Sequence, residues 1–350
     1  MRTSPGELER AKPPFGFYPF IVAEMGANHM GDIGRAIAIV EQAAAAGADA
    51  VKLQTFTPGS MVAGRGHVVE SGIWRGRDLW DLYSESALAW SWHEQLFQLG
   101  RELGIVVFSS PFDLEAIDFL ERLNCPMYKI ASFEILDLEL IAKAASTGKP
   151  LIISTGMATL EEITEAVEVA NNNGCNGTEL TLLKCTSAYP ANALDTNLTT
   201  IGEFRRHFRC KVGLSDHTRG LGSAVAAALA GADMIEKHMG GFRQLGPDEH
   251  FSVDPIGMEE LVRCVRDAMD SIGSVRYGAL EAEQPMLALR RTLRAYRDIA
   301  AGAPITRDNV KPLRPSGGLE PKHLHKILGM AVTRAVAGGE PITWALVRGI

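Results

Sequence analysis

From Phe20 onward, short apolar runs alternate with stretches whose apolar residues recur every three or four positions. The runs are FIVAEMG (20–26), DAVKLQTF (49–56), IVVFSSPF (105–112), MYKIAS (127–132), LIISTGM (151–157), LTLLKCTS (180–187), KVGLSD (211–216) and MIEKHM (234–239). They are continuous rather than alternating, the pattern of parallel strands covered on both faces. The stretches between them read as helices. Thr159 and Glu162 form a capping box for TLEEITEAVEVANNNG, where Leu160, Ile163 and Val167 share a face. Beyond the last run, Met258, Leu261, Val262, Val265 and Met269 mark one more amphipathic helix. Strand–helix units repeated eight times over about 250 residues predict an α/β fold, a (β/α)8 TIM barrel. A doubly wound open sheet is the alternative, but no Gly-x-Gly-x-x-Gly follows the first run, which weakens a dinucleotide site.

Two departures from this rhythm stand out. The segment between the second and third runs is longer than a helix requires and carries Arg65, His67, Trp74, Trp80, Tyr83, Trp90 and Trp92. Its glycine-rich part, GRGHVVESGIWRG, reads as a loop lying over the barrel mouth. Near Ser271 the pattern changes again. SIGSVRYGALEAEQPM looks like a linker, and the remainder has short strand-like pieces with many Gly and Pro. The expected organisation is therefore a barrel over 1–272, a linker over 273–288 and a small β-rich module over 289–350. A module of that size is marginal alone and is expected to dock on something larger.

The chain has 350 residues, 46% of them hydrophobic, and a net charge of −7. That balance argues against nucleic acid or an anionic membrane as the main partner. Any anion site must be built locally from lysines. The opening MRTSPGELERAKPPFGF lacks the apolar core of a signal peptide, and five cysteines without Cys-x-x-Cys spacing suit free thiols in a reducing cytoplasm. Cys125, Cys185 and Cys210 lie in or beside strand-like segments and are expected to be buried.

In a barrel of this kind the chemistry sits at the carboxyl ends of the strands. Those ends carry Glu24 and Asn28; Lys52 and Gln54; Ser109 and Ser110; Lys129 and Ser132; Ser154; Lys184, Ser187 and Tyr189; Ser215 and His217; Glu236 and His238. Alternate strand residues share a face, so Lys52 pairs with Gln54, Ser215 with His217 and Glu236 with His238. Lysines among hydroxyls suit a phosphate or carboxylate. Two imidazoles at the ends of neighbouring parallel strands suit a divalent metal.

The motifs EMGANHMGD, DAVKLQTF, FSSPFD, YKIASFEI, ISTGMAT, CTSAYPA, VGLSDHT, IEKHM and GPDEHFSVDP together resemble the sialic acid (nonulosonic acid) synthase family, whose members condense phosphoenolpyruvate with an amino sugar. The tail RDIAAGAPITRDNVKPLRPSGGL resembles that family's antifreeze-like SAF domain. Within the family, YKIASFEILD, LLKCTSAYPA and IWRGRDLWDLYSESALAWSWH are most similar to the pseudaminic acid synthase branch. The neuraminate and legionaminate branches more often show SGE where this chain has Ser132-Phe133-Glu134, and Asn where Ser187 stands.

The resemblance implies a cytoplasmic transferase in which His217 and His238 hold a divalent ion, Mn2+ with Mg2+ or Co2+ as substitutes. It implies that Lys52, Gln54, Lys129, Ser132, Ser154, Ser187, Tyr189 and Ser215 line the phosphoenolpyruvate site. Glu24, Tyr189 and Asp248 would meet the sugar, and Arg314 would reach its N-acyl group from a partner subunit, making the working unit a homodimer. In the implied reaction, C3 of phosphoenolpyruvate attacks the open-chain aldehyde, water adds to C2, and phosphate departs by C–O cleavage. Glu24, Glu134 or Glu236 would move a proton, with Lys52 and Lys129 stabilising charge. Two rival readings are a Schiff-base aldolase using Lys129 or Lys52 as nucleophile, and a non-catalytic carbohydrate- or ice-binding protein built on the terminal module.

Overall fold

The computed structural model describes residues 18–175, 177–241 and 246–348. Its strands are β1 (Phe20–Glu24), β2 (Ala50–Thr55), β3 (Val106–Pro111), β4 (Tyr128–Ile130), β5 (Leu151–Ser154), β6 (Leu180–Cys185), β7 (Lys211–Asp216) and β8 (Met234–His238). They pair in sequence order, all parallel, and β8 returns to β1 to close a barrel. Each predicted apolar run contributes one strand. All but the seventh run overshoot their strands by one to three residues at the carboxyl end, where the site residues begin to leave the ladder. The fourth run turns early: after Ile130 the chain enters a 3-10 helix, Ser132–Glu134.

Around the barrel lie α1 (Ile33–Ala45), α2 (Pro58–Met61), α3 (Leu79–Ser86), α4 (His93–Leu103), α5 (Leu114–Arg122), α6 (Leu138–Ser146), α7 (Leu160–Asn172), α8 (Thr199–Phe208), α9 (Gly222–Leu229) and α10 (Pro255–Ile272). Aspartates start several of them. Asp32, Asp113, Asp137 and Asp254 each accept a backbone N–H from the first turn, which satisfies a donor the helix itself leaves unpaired. The Thr159–Glu162 capping box opens α7 as expected. The face of α7 differs from the sequence expectation, however. Ile163 and Val167 are buried with Ala166 and Ala170, while Leu160, the first residue of the helix, is 51% exposed. In α10 the five predicted apolar residues are the buried ones.

The insertion after β2 is ordered. Around a hairpin, Val69 N donates to Arg77 O and Gly76 N donates to Val69 O, Leu79 N donates to His67 O, and α3 follows directly. The Trp74 indole Nε1 donates to Pro247 O in the β8–α10 loop (3.0 Å), which ties the hairpin across the barrel mouth.

On the outer face of the sheet, Lys237 and Asp216 form a fully buried ion pair (2.9 Å), and the same ammonium donates to the carbonyls of Thr218 and Gly220 (3.1 Å to the latter). These contacts fix the turn that carries His217. Cys125, Cys185 and Cys210 are buried as expected, and the described cysteines are free thiols.

The chain divides into two compact units between Ser274 and Val275. In the second, the stretch expected to be a plain linker contains a 3-10 helix, Glu281–Leu289. It is followed by the antiparallel pair β9 (Thr292–Ala295) and β10 (Val310–Leu313), by α11 (Leu324–Ile327), and by the antiparallel pair β11 (Ala331–Val332) and β12 (Val347–Arg348). Leu293, Ile299, Val310, Ile327, Val332 and Ile342 form its own small core. Among the described residues no helix is long and apolar enough to cross a membrane.

Candidate active site

Parallel register brings the charged strand ends together. Glu24 lies beside Lys52 on one side and His238 on the other, and Ser215 lies beside Glu236. Their side chains line one cavity of about 340 Å³ inside the carboxyl end of the barrel. Its floor is an ionic cluster. Lys129 Nζ donates to both oxygens of Glu236 (2.8 and 3.0 Å), Lys52 Nζ lies 3.4 Å from Glu236 and pairs with Glu24, and Ser215 Oγ donates to Glu236 (3.2 Å). Gln54 Nε2 donates to the other oxygen of Glu24 (2.9 Å).

All four charged groups are 1–4% exposed, so each would be costly without its partners. Burial alone would raise the Glu236 carboxyl, but the charges of Lys129 and Lys52 outweigh it and hold it at about 2. Burial pulls the Lys52 ammonium down to about 7, with Glu236 working against the fall and Lys129 adding to it. Two ammonium groups and two carboxylates thus face one another at the bottom of the cavity.

Three other polar groups face the same cavity without a partner. Ser154 Oγ, Glu134 Oε2 and His238 Nδ1 are buried and unbonded. An orphaned buried group costs about 1–3 kcal/mol, and three around one cavity mark a place where ligand atoms belong. Glu134 is the most telling, because burial pushes its carboxyl up to about 7. Asp248, also on the wall, is raised to about 6 by burial although it accepts the Ala27 N–H (2.8 Å).

The two histidines meet as the sequence suggests. Their ring centroids are 5.3 Å apart, with Tyr189 4.4 Å from His217 and Phe251 4.8 Å from His238. His217 Nδ1 contacts the Thr186 carbonyl (3.0 Å), which can only accept, so its lone pair lies on Nε2. Burial drives the His238 imidazole far below its ordinary range, so it is neutral, with unpartnered Nδ1 3.6 Å from Asp248. Neutral imidazole is the form that ligates a metal. Among the described residues no group of three or more His, Cys, Asp or Glu side chains forms a metal cage. The donor set therefore fits an open site with two protein ligands rather than a closed structural one.

Glycine makes two of these approaches possible. At Gly26, with φ +50°, a Cβ would lie 2.2 Å from Asp248 Oδ2 and 3.0 Å from His238 Nδ1. A Cβ at Gly156 would lie 2.2 Å from Ser187 Oγ and 2.9 Å from Ser132 Oγ. The Gly156 N–H instead donates to Ser132 Oγ (3.0 Å).

Not every candidate faces the cavity. Ser187 stands beside Gly156 just outside its wall. Lys184 bends back to the Cys185 carbonyl (2.7 Å). Lys52 donates to Ser110 (3.3 Å), and Ser109 bonds to Thr55 (2.6 Å) on the outer side of the strands. Asn28 ties the first loop to Met239 O and Ser252. Arg314 belongs to the second unit, where it is exposed at the end of β10.

A model described as the NeuB family matches residues 39–277, more than half of the chain, and a SAF domain model matches residues 290–348. The chain belongs to the NeuB family. It is 39% identical over 331 residues to the pseudaminic acid synthase of Helicobacter pylori, covering 93% of this chain and 96% of that one. It is 36% identical to the N,N'-diacetyllegionaminic acid synthase of Legionella pneumophila, with 93% of each chain covered. Among solved structures it resembles an N-acetylneuraminic acid synthetase from Leptospira borgpetersenii in complex with citrate, with TM-score 0.68, 28% identity, and 77% of this chain and 90% of that one covered.

What sequence reasoning missed is the other wall of the cavity. Met61, Val69, Leu79, Leu82 and Tyr83 come from the insertion, and Phe56 and Phe112 from strand ends. The insertion drew notice for its tryptophans, and of these Trp74 lines the cavity. Its aliphatic residues have no strand period to betray them, since only the hairpin turns them inward.

Proposed function

We propose that the protein is a pseudaminic acid synthase, condensing phosphoenolpyruvate with 2,4-diacetamido-2,4,6-trideoxy-L-altrose to give pseudaminic acid and phosphate. The observation that carries this reading is the cavity's division into an ionic, hydroxyl-lined floor and an apolar wall built by the insertion, with two imidazoles between them. Identity to pseudaminic acid synthases over most of the chain supports the choice of sugar, and legionaminate or neuraminate synthesis is the alternative within the family.

Lys52 and Lys129 would receive the carboxylate and phosphate of phosphoenolpyruvate, with Ser132, Ser154 and Ser215 donating to the same anion. Gln54 orients Glu24 toward the sugar, where Tyr189 and Asp248 supply further polar contacts. His217 and His238 would hold a divalent ion, Mn2+ being the candidate, which when bound supplies Lewis-acid polarisation of the aldehyde. With both substrates held at the floor and wall, C3 of the enol phosphate bonds to the aldehyde carbon, and C2 is left electron-poor. Of the candidate carboxylates, Glu24 and Glu236 are committed to ion pairs, while Glu134 Oε2 is unpartnered and burial raises its carboxyl to about 7. Glu134 therefore takes one proton of the water that adds to C2 and passes it to the alkoxide left on the former aldehyde oxygen; the remaining proton of the new C2 hydroxyl leaves with phosphate as the C2–O bond breaks and the C2 ketone forms. A homodimer in which Arg314 reaches the sugar N-acyl group across subunits completes the proposal; an exposed arginine between Pro312 and Pro315 in a Gly-rich turn suits that role.

The test is phosphate release from phosphoenolpyruvate labelled with 18O at the bridging position. Sugar-dependent release of phosphate that keeps the label supports C–O cleavage. Release of unlabelled phosphate contradicts C–O cleavage, and covalent trapping by borohydride with full activity after chelation supports a Schiff-base aldolase instead.

A further inference from the structure

The insertion after β2 builds one side of the cavity from an aliphatic patch beside Trp74, Tyr83 and Ser86, where Trp74 Nε1 and Ser86 Oγ already donate to Pro247 O and Leu82 O. Met61 comes from α2, Val69 from the hairpin, and Leu79 and Leu82 from α3. Phe133, 61% exposed, stands at the rim. Backbone bonds from Val69 to Arg77 and from Leu79 to His67 set these side chains in place, and the Trp74 bond to Pro247 O closes the hairpin over the mouth. The opposite face carries the Lys52–Glu236–Lys129 cluster.

A fully hydroxylated sugar placed here would turn hydroxyls toward groups that cannot bond them, and each unpaired hydroxyl is penalised. A ligand bearing methyl groups on that side would bury them against matching surface. We infer that the insertion wall formed by Val69, Leu79 and Leu82 is the specificity element of the site, selecting a deoxygenated, multiply N-acylated sugar over a hydroxylated one. The inference rests on the proposed synthase reading and deepens it: the floor recognises the anionic donor common to such reactions, and the wall chooses the acceptor.

One methyl in an apolar pocket discriminates by roughly tenfold or more, whereas an apolar wall alone rejects an added hydroxyl by up to about a hundredfold. The experiment measures kcat/KM for the 6-deoxy diacetamido sugar and for N-acetylmannosamine in wild type, Val69→Thr, Leu79→Asn and the double variant, each in the presence of saturating phosphoenolpyruvate. Val69→Thr exchanges a methyl for a hydroxyl at nearly constant shape, so it tests polarity with little risk to folding. The expected result is a fall of about tenfold in the deoxy-to-hydroxylated ratio in the double variant, a smaller fall in each single one, and a donor KM within twofold of wild type. A ratio that stays constant while both sugars weaken together would overturn the inference and leave the wall as packing. If wild type itself prefers N-acetylmannosamine, the proposed sugar is wrong; movement of the ratio in Val69→Thr still judges the wall separately.

Discussion

At the scale of single residues, the floor of the cavity gives the sharpest expectations. Lys129 donates two charged hydrogen bonds to Glu236 and stands ready for the donor's anion. Each charged bond lost costs about 1.5–3 kcal/mol, so Lys129→Met should lower kcat/KM for phosphoenolpyruvate roughly ten- to a hundredfold while changing the sugar's KM little. Steady-state kinetics with each substrate varied in turn checks this; an unchanged donor KM assigns Lys129 to structure alone. Glu134 carries the pH prediction. Burial raises its carboxyl to about 7, so it is neutral below and a carboxylate above. Acting as a base, it makes log kcat rise through about pH 7, and Glu134→Gln should lose both rate and that limb. Linkage has the matching sign: a carboxyl raised on folding contributes stability that is complete below its unfolded value and lost as pH rises through about 7. Glu134→Gln should therefore gain stability over wild type at pH 8, read from urea midpoints.

At the scale of elements, β7 and β8 carry chemistry on one face and its support on the other. Glu236 and His238 point inward, and between them Lys237 points outward to Asp216. Removing one partner of a buried pair costs about 3–5 kcal/mol because the other charge is left unpaired. Lys237→Met should lower the urea midpoint correspondingly, and Lys237→Met with Asp216→Leu should recover much of the loss. A single variant as stable as wild type would show that the pair adds nothing.

The same elements show what was legible in the sequence. Period two put Lys52 with Gln54 and Glu236 with His238, and continuous apolar runs gave the eight strands, because strand alternation is a local property. Contacts between distant segments were not legible. Nothing local says that Lys184 bends back onto Cys185 O, that Ser187 stops behind Gly156, or that Leu160 is left exposed. In the apolar wall Val69 has no periodic partner, and the helical spacing of Leu79 and Leu82 does not say which way α3 faces; the helix at Glu281–Leu289 breaks the look of a linker only through backbone geometry that its proline disguises.

At the scale of the whole molecule, a barrel unit with its own cavity and a small second unit carrying Arg314 invite a test of cooperation between copies. Subunits carrying Arg314→Ala and subunits carrying His238→Ala, each inactive, should regain partial activity when exchanged into mixed dimers, since one hybrid site would own both residues. Dead mixtures from parents that still dimerise would assign the arginine to its own chain or to no role. The central claim concerns the reaction itself. Its most direct test is mass spectrometry of the product formed from phosphoenolpyruvate, Mn2+ and an equimolar mixture of 2,4-diacetamido-2,4,6-trideoxy-L-altrose and N-acetylmannosamine. The account predicts pseudaminic acid as the dominant product with release of one phosphate per product; N-acetylneuraminic acid as the dominant product, or no nonulosonic acid at all, would contradict it.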